Sequence, residues 1–232
     1  MILLLAGAIA AAAACPPGTG ADALVCRAID ASVAGRSEQS ALAFEGAAAA
    51  TPAADPSRAR MLAAAGNMWI AAGQPTKAAA ALDRALAGTA LQGEQRGEAQ
   101  LDRARAAEAQ GDLKTARARV TEALTTVSAD PFAWYFSAAL AIRENDVATA
   151  QRAIDRALAL APGDPTILFE AGHVADLAGD PSKARGYWTR AAAADPGGAS
   201  GQAARKAIEL LGVQPQLKAG QPQVKSPAGA TR

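Results

Sequence analysis

The sequence has few of the residues on which β-sheets and most enzyme active sites depend. Only 4% of its 232 residues are aromatic, and it has one histidine and two cysteines. Strands favour aromatic and β-branched side chains, and no continuous valine or isoleucine run of the kind a buried parallel sheet needs is found. These absences argue against β-sandwich, β-barrel and parallel α/β folds. One histidine also leaves little for a zinc site or a histidine-based catalytic centre.

Alanine dominates the composition. The chain has 67 alanines, and alanine is the residue with the highest intrinsic helix propensity. The 23 basic and 22 acidic residues nearly balance, with a net charge of +1. No stripe of basic residues of the kind that contacts phosphates is found. We therefore predict an all-α protein that does not bind nucleic acid.

The first residues, MILLLAGAIAAAAA, form an apolar stretch that ends in small residues. The stretch is shorter than the roughly 20 residues that span a bilayer as a helix, and small residues after an apolar run are typical of a secretory cleavage site. We predict a signal peptide over residues 1–14 and a short coil over 15–20, although no Lys or Arg precedes the apolar run. The alternative is a buried N-terminal helix.

Export would place both cysteines in an oxidising compartment, where two cysteines can pair. We predict a periplasmic protein with a disulfide between Cys15 and Cys26. The competing interpretation is a membrane-anchored lipoprotein in which Cys15 is the acylated first residue. That pattern resembles a lipoprotein processing site, but Ala12 stands where a leucine is expected. The disulfide is therefore favoured.

The chain repeats itself with a period of about 34 residues, the kind of self-similarity that indicates a repeat architecture. The blocks that align are 21–54, 59–92, 97–130, 131–164 and 165–198. The two intervening insertions are each four residues long, about one helical turn.

Several columns of this alignment have a physical meaning. Position 15 tolerates the left-handed backbone that ends a helix; it holds Gly35, Gly73, Gly111, Asn145 and Gly179. Position 24 is large and apolar; it holds Phe44, Leu82, Val120, Ile154 and Trp188. Positions 8, 20 and 27 are small, which lets two helices approach closely. Proline at position 32 of three blocks stops the second helix. Each block therefore predicts a helix, a tight turn and a second helix.

This pattern resembles the tetratricopeptide repeat, over about residues 21–198. The resemblance implies an all-α, right-handed superhelix of about five helical hairpins. Residues 199–212 are predicted to form a helix that caps the last hairpin. Residues 213–232 are rich in Pro, Gln and Gly without periodicity, and we predict a disordered tail. The repeat domain is thus expected over 21–212.

The resemblance also implies a concave groove lined by the first helix of each repeat. Carried over position by position, the partner-binding residues are Arg60, Asn67, Leu101, Arg105, Phe132, Tyr135, Arg143, Phe169, His173 and Asp176. Aromatic and arginine side chains are favoured at binding hot spots. A variant of this fold clamps a carboxylate with Lys and Asn residues; of those positions only Asn67 matches here, so a free carboxyl terminus is not the favoured partner.

We hypothesise a non-catalytic adaptor of the bacterial cell envelope that holds a segment of a protein partner in this groove. The alternative is a structural or lipid-anchored component of an envelope machine such as a pilus, secretion or division apparatus. The chain lacks the G-x-S-x-G and H-E-x-x-H motifs and a phosphate-binding glycine loop, so we expect no enzymatic activity. We expect no metal and no small-molecule cofactor, and membrane contact only if Cys15 is lipidated.

Overall fold

The computed structural model describes the backbone of residues 15–219 and the side chains of residues 15–211. In this part of the chain there are eleven α-helices and no strand, which confirms the predicted all-α class. The helices are α1 (Ala21–Val33), α2 (Ser37–Ala50), α3 (Ser57–Ala71), α4 (Pro75–Leu86), α5 (Gly93–Ala109), α6 (Leu113–Ala123), α7 (Pro131–Arg143), α8 (Val147–Leu160), α9 (Pro165–Leu177), α10 (Pro181–Ala194) and α11 (Ala199–Ala219). The predicted signal peptide lies outside the described residues.

The final helix runs seven residues beyond the range 199–212 that its composition predicts, into the segment expected to be disordered. Glycine and proline are poor helix formers, which is why composition favours a coil there. An existing helix, however, is extended one residue at a time without a new nucleation step. Residues 220–232, the rest of the predicted tail, lie outside the described residues. None of the helices described is long and apolar enough to cross a membrane.

Each of the five helical hairpins turns at position 15 of its block. The residues there have positive φ, between 57° at Asn145 and 80° at Gly179. The next residue donates its backbone N–H back across the turn to the helix, as Asp146 does to the Ala141 carbonyl at 2.9 Å. This hydrogen bond closes a Schellman motif. Asp146 then accepts the Thr149 N–H at 3.0 Å, so one short turn both ends α7 and caps α8.

The helices belong to two compact units, with α1–α6 in the unit up to Thr126 and α7–α11 in the unit from Val127. In the first unit, each helix packs against the next from α1 to α6, and α3 also contacts α5. In the second unit, α7 packs on α8, α9 on α10, and α11 on both α9 and α10. Ala204 and Leu211 of α11 are buried in the cluster around Trp188, so α11 covers the apolar side of the last hairpin.

In the second and fifth hairpins, a glycine at position 8 of the first helix faces a large residue at position 24 of the second helix. A Cβ added to Gly66 would overlap the isobutyl group of Leu82, and one added to Gly172 would lie within 2.6 Å of Trp188 Cε2. Leu82 and Trp188 are both almost fully buried. The space that a side chain at position 8 would occupy is therefore filled by the large residue at position 24 of the second helix. This agrees with the close packing of protein interiors.

Candidate partner-binding surface

Three aromatic side chains of α7 form one contiguous group, which we call the α7 aromatic surface: Phe132, Tyr135 and Phe136. Residues three and four positions apart lie on one side of a helix. The ring centroids of Phe132 and Tyr135 are 5.7 Å apart, and those of Phe132 and Phe136 are 6.1 Å apart with nearly parallel planes. Phe136 is buried, whereas Phe132 remains 40% exposed. The Phe132 ring thus packs against Tyr135 and Phe136 and is partly exposed to solvent.

The backbone at the start of α7 is fixed by its cap. Pro131 occupies the first turn, where its missing N–H has no partner to lose. The Asp130 carboxylate accepts the Phe132 N–H at 2.8 Å. These features hold the Cα–Cβ bond of Phe132 in one direction. The exposed ring therefore belongs to an ordered helix end rather than to a loop.

A second group lies on α9. The ring of His173 packs edge-on against Phe169, with centroids 4.4 Å apart, and lies 5.6 Å from the ring of Trp188. The Trp188 indole N–H donates to the Phe169 carbonyl at 3.0 Å. His173 Nδ1 is also 3.5 Å from a carboxylate oxygen of Glu170. His173 is therefore engaged in packing, with a little over a third of its side chain exposed.

The other predicted binding residues of the second unit lie near the C-terminal ends of their helices. Arg143 is the last residue of α7, and Asp176 precedes the last residue of α9; both are exposed. Tyr135 and Phe169 are half-buried and pack against the core clusters of this unit. Of the predicted aromatic contacts, Phe132 is thus the most exposed.

In the first unit, two of the predicted residues, Asn67 and Arg105, belong to a polar network around Asp102. Asn67 donates its side-chain amide to one oxygen of Asp102 at 2.8 Å, and Arg105 donates to the other oxygen at 3.0 Å. Burial raises the pKa of the Asp102 carboxyl, and the hydrogen bond from Asn67 and the charge of Arg105 oppose that shift. The contact from Asn67 joins α3 to α5, and the contact from Arg105 lies within α5. Arg60, on α3, is exposed.

Leu101 does not belong to an accessible surface. Its side chain is only 4% exposed, and α5 is covered by contacts with α3, α4 and α6. A buried side chain cannot meet a partner, so the placement of Leu101 in a binding groove is corrected to the core. The repeat position placed it on the right helix, but the neighbouring helices decide its exposure.

Two residues that the sequence analysis did not select complete these groups. Phe136 supports Phe132, and Glu170, whose side chain is only 12% exposed, meets His173. Both lie at helical spacing from a selected residue, Phe136 four positions after Phe132 and Glu170 three positions before His173. This spacing is the signal that would have found them.

Cys15 and Cys26 are joined by a disulfide, with their Cα atoms 5.5 Å apart. The bond attaches the segment before α1 to the middle of that helix. Arg27 adds a hydrogen bond to the Gly18 carbonyl at 2.7 Å. Asp30 also lies close to the two sulfurs, but cysteine binds a metal as its thiolate, and the sulfurs of a disulfide are not thiolates.

Comparison with known proteins identifies the repeat. The sequence profile of a family described as tetratricopeptide repeat matches residues 70–133, 101–165 and 137–199. Together these matches cover more than half of the chain. No curated protein sequence matches it.

Several solved structures have a similar fold. The crystal structure of MamA has a TM-score of 0.62 and 15% identity, covering 76% of this chain and 92% of that one. PilW, described as a widely conserved type IV pilus biogenesis factor, has a TM-score of 0.66 and 18% identity, covering 78% and 80%. YrrB, described as having an unusual peptide-binding site, has a TM-score of 0.61 and 17% identity, covering 82% and 92%. At these identities the likeness extends to the fold alone.

Proposed function

Because the chain belongs to the tetratricopeptide repeat family, we propose that it is a non-catalytic scaffold that binds a segment of a partner protein through the α7 aromatic surface. The observation that carries this proposal is the 40% exposure of Phe132 on an otherwise well-packed helix. A ring already held by its neighbours loses little conformational freedom when a partner covers it. Such rigid aromatic side chains are typical binding hot spots.

The energy available from this contact is substantial. A phenylalanine buries about 150–250 Å² when fully covered, so the exposed fraction of Phe132 corresponds to roughly 80 Å². At about 25 cal/mol per Å², covering it contributes about 2 kcal/mol, or roughly 30-fold in affinity. Tyr135 and Phe169 are half-buried already and would add less.

The test begins with a photoreactive amino acid in place of Phe132, so that the cross-linked partner segment can be identified by mass spectrometry. The identified segment is then synthesised, and its affinity is measured by titration calorimetry for the unmodified protein and for Phe132→Ala. We expect this substitution to weaken binding by about tenfold or more.

Leu160 provides a matched control, because it is also 40% exposed but lies at the end of α8. Leu160→Ala should leave the affinity within about twofold of the unmodified protein. Equal effects of the two substitutions, or none from Phe132→Ala, would count against the α7 aromatic surface. Tyr135→Ala combined with Phe169→Ala should also weaken binding, by less than Phe132→Ala, and circular dichroism should show unchanged helicity.

We place this scaffold in the bacterial cell envelope. The predicted signal peptide supports export, and the disulfide between Cys15 and Cys26 suits an oxidising compartment. The fold likeness to PilW, a type IV pilus biogenesis factor, agrees with this location. Fractionation of cells that express the full chain tests it: recovery with periplasmic markers is expected, and recovery with cytoplasmic markers would contradict it.

The second candidate function is that of an assembly component of an envelope machine. The exposure of two large apolar side chains on α1, Ile29 at 52% and Val33 at 85%, favours it, because such side chains are often covered in assemblies. A lipid anchor on Cys15 would require its sulfur in a thioether, which excludes the disulfide. The intact mass of the purified protein distinguishes the disulfide from the lipid anchor. A disulfide lowers the mass by two hydrogens, and a lipid anchor raises it by a diacylglyceryl group.

A further inference from the structure

One helix of the second unit is unusually basic. Lys183, Arg185 and Arg190 are the charged residues of α10 (Pro181–Ala194), and all three are exposed. None of them forms a salt bridge with any residue between 15 and 211. The helix therefore presents three positive charges that no described carboxylate neutralises.

Two of these charges lie near the same aromatic ring, that of Tyr187. Lys183 Nζ is 5.9 Å from the centroid of the Tyr187 ring, and Arg190 Cζ is 5.7 Å from it. Arg190 also donates to the Pro162 carbonyl at 2.9 Å, which holds its guanidinium in place. Tyr187 packs against the core clusters of the unit. The three side chains form an ordered stripe, which we call the α10 stripe.

The same two repeat positions are used differently in the first unit. Positions 19 and 26 hold Lys77 and Arg84 there, and each lies 3.9 Å from a glutamate of α2. In the second unit, the residues that correspond to those glutamates on α8 are Ala148 and Asp155. Alanine offers no charge, and Asp155 accepts a hydrogen bond from Gln151 at 2.8 Å instead.

From this contrast we propose that the α10 stripe binds an acidic segment of a partner protein. The distance along the helix from Lys183 to Arg190 is about 10 Å. An extended peptide advances about 6.6 Å every two residues, so carboxylates two or three residues apart reach both cations. This surface is separate from the α7 aromatic surface, and neither proposal depends on the other.

The charge of the whole unit favours a short acidic segment over larger anions. Residues 127–211 contain eight basic and ten acidic side chains, a net charge of −2. An extended polyanion such as a nucleic acid or an anionic membrane would meet that negative surface as well as α10. Lipid-binding clusters typically contain four to eight basic residues, more than α10 provides. A peptide confined to one helix meets only the positive stripe.

The test uses a fluorescein-labelled heptapeptide with glutamate at alternate positions, separated by glycine, and the same peptide with glutamine. Fluorescence polarisation at low salt should detect binding of the glutamate peptide and not of the glutamine peptide. Lys183→Gln combined with Arg190→Gln should weaken binding by about fivefold. The matched control, Lys77→Gln with Arg84→Gln, should leave binding unchanged within about twofold, since those cations are already paired.

Lys183→Gln alone gives an independent reading if the double variant loses stability, because it keeps the hydrogen bond from Arg190 to the Pro162 carbonyl; it should weaken binding by about twofold. Arg185→Gln, on the opposite side of α10, should leave binding unchanged. Failure to bind the glutamate peptide, or equal losses in the double variant and its control, would overturn the proposal. So would binding of phosphatidylglycerol vesicles or of oligothymidylate in preference to the peptide. Phe132→Ala should leave the peptide affinity unchanged, which separates this outcome from that for the α7 aromatic surface.

Discussion

Replacing Gly172 by alanine tests the packing that defines each hairpin. Gly172 lies inside α9, where alanine is intrinsically favoured over glycine by about 1 kcal/mol. The structure predicts the opposite net effect, because the new Cβ would overlap the indole ring of Trp188. Trp188 is only 3% exposed and cannot move aside into solvent.

The expected loss of stability in Gly172→Ala has two contributions. Forcing an extra methyl group into a filled core costs about 1–3 kcal/mol. A shift of the indole would also weaken or break its hydrogen bond to the Phe169 carbonyl. An unsatisfied buried donor costs about 1–3 kcal/mol. After the gain in helix propensity, we expect Gly172→Ala to lower the free energy of unfolding by about 3 kcal/mol. Urea unfolding followed by circular dichroism measures it, and hydrogen exchange in α9 and α10 shows whether the loss is local.

Gly186 is the matched control. It lies in α10, and a Cβ added there would meet no atom within 4 Å. Gly186→Ala should therefore raise the free energy of unfolding by up to about 1 kcal/mol. If Gly172→Ala were as stable as the unmodified protein, or if both substitutions destabilised it equally, the reasoning would be wrong.

A double variant that changes both Gly172 and Trp188 tests the same contact. The preceding repeat has Ala138 and Ile154 at positions 8 and 24, where the last repeat has Gly172 and Trp188. Gly172→Ala combined with Trp188→Ile should be less destabilising than the sum of the single substitutions, because isoleucine leaves room for the methyl group. A coupling energy of about 1 kcal/mol or more is expected from a double-mutant cycle.

Three further predictions concern other parts of the chain. Replacing Cys15 by serine should destabilise the protein by up to about 3 kcal/mol, since the disulfide closes a loop of about a dozen residues; thermal denaturation with and without reductant measures this. Asp164→Ala removes the cap on two N–H groups of α9 and should cost about 1 kcal/mol in urea, whereas Asp176→Ala at the other end of α9 should be neutral or slightly stabilising. Burial raises the pKa of Asp102 above its ordinary 3.8, so its ionisation destabilises the fold as pH rises through the raised pKa. Between pH 3.8 and the raised pKa, the stability of Asp102→Asn relative to the unmodified protein should therefore increase with pH. Unfolding curves measured at several pH values test the sign of this change.

Much of the local structure could be predicted because it depends on residues close together in the chain. A glycine or asparagine at position 15 permits the positive φ that closes a hairpin, and the aspartate after it in three repeats caps the next helix. These requirements involve the backbone of a few adjacent residues. The end of α11 was less predictable, because it depends on whether an existing helix continues rather than on a local stop signal.

The binding residues were harder to predict, because a repeat position identifies a side of one helix and not what covers it. Leu101 and Phe132 were selected by the same rule, yet one is 4% and the other 40% exposed. Asn67 was selected as a partner contact and instead donates to Asp102, thirty-five residues away. Such contacts join different repeats, and no period within the sequence specifies them.

By itself the sequence determined the all-α class, the turns between paired helices and the large and small residues that let those helices interlock. Only the tertiary structure decided which of those residues remain accessible and which charges are neutralised. Lys77 and Lys183 occupy the same repeat position, but Lys77 lies 3.9 Å from a glutamate of another helix, while Lys183 lies beside Tyr187. Exposure and charge pairing depend on side chains brought together from distant parts of the chain, and that is information which a local pattern does not contain.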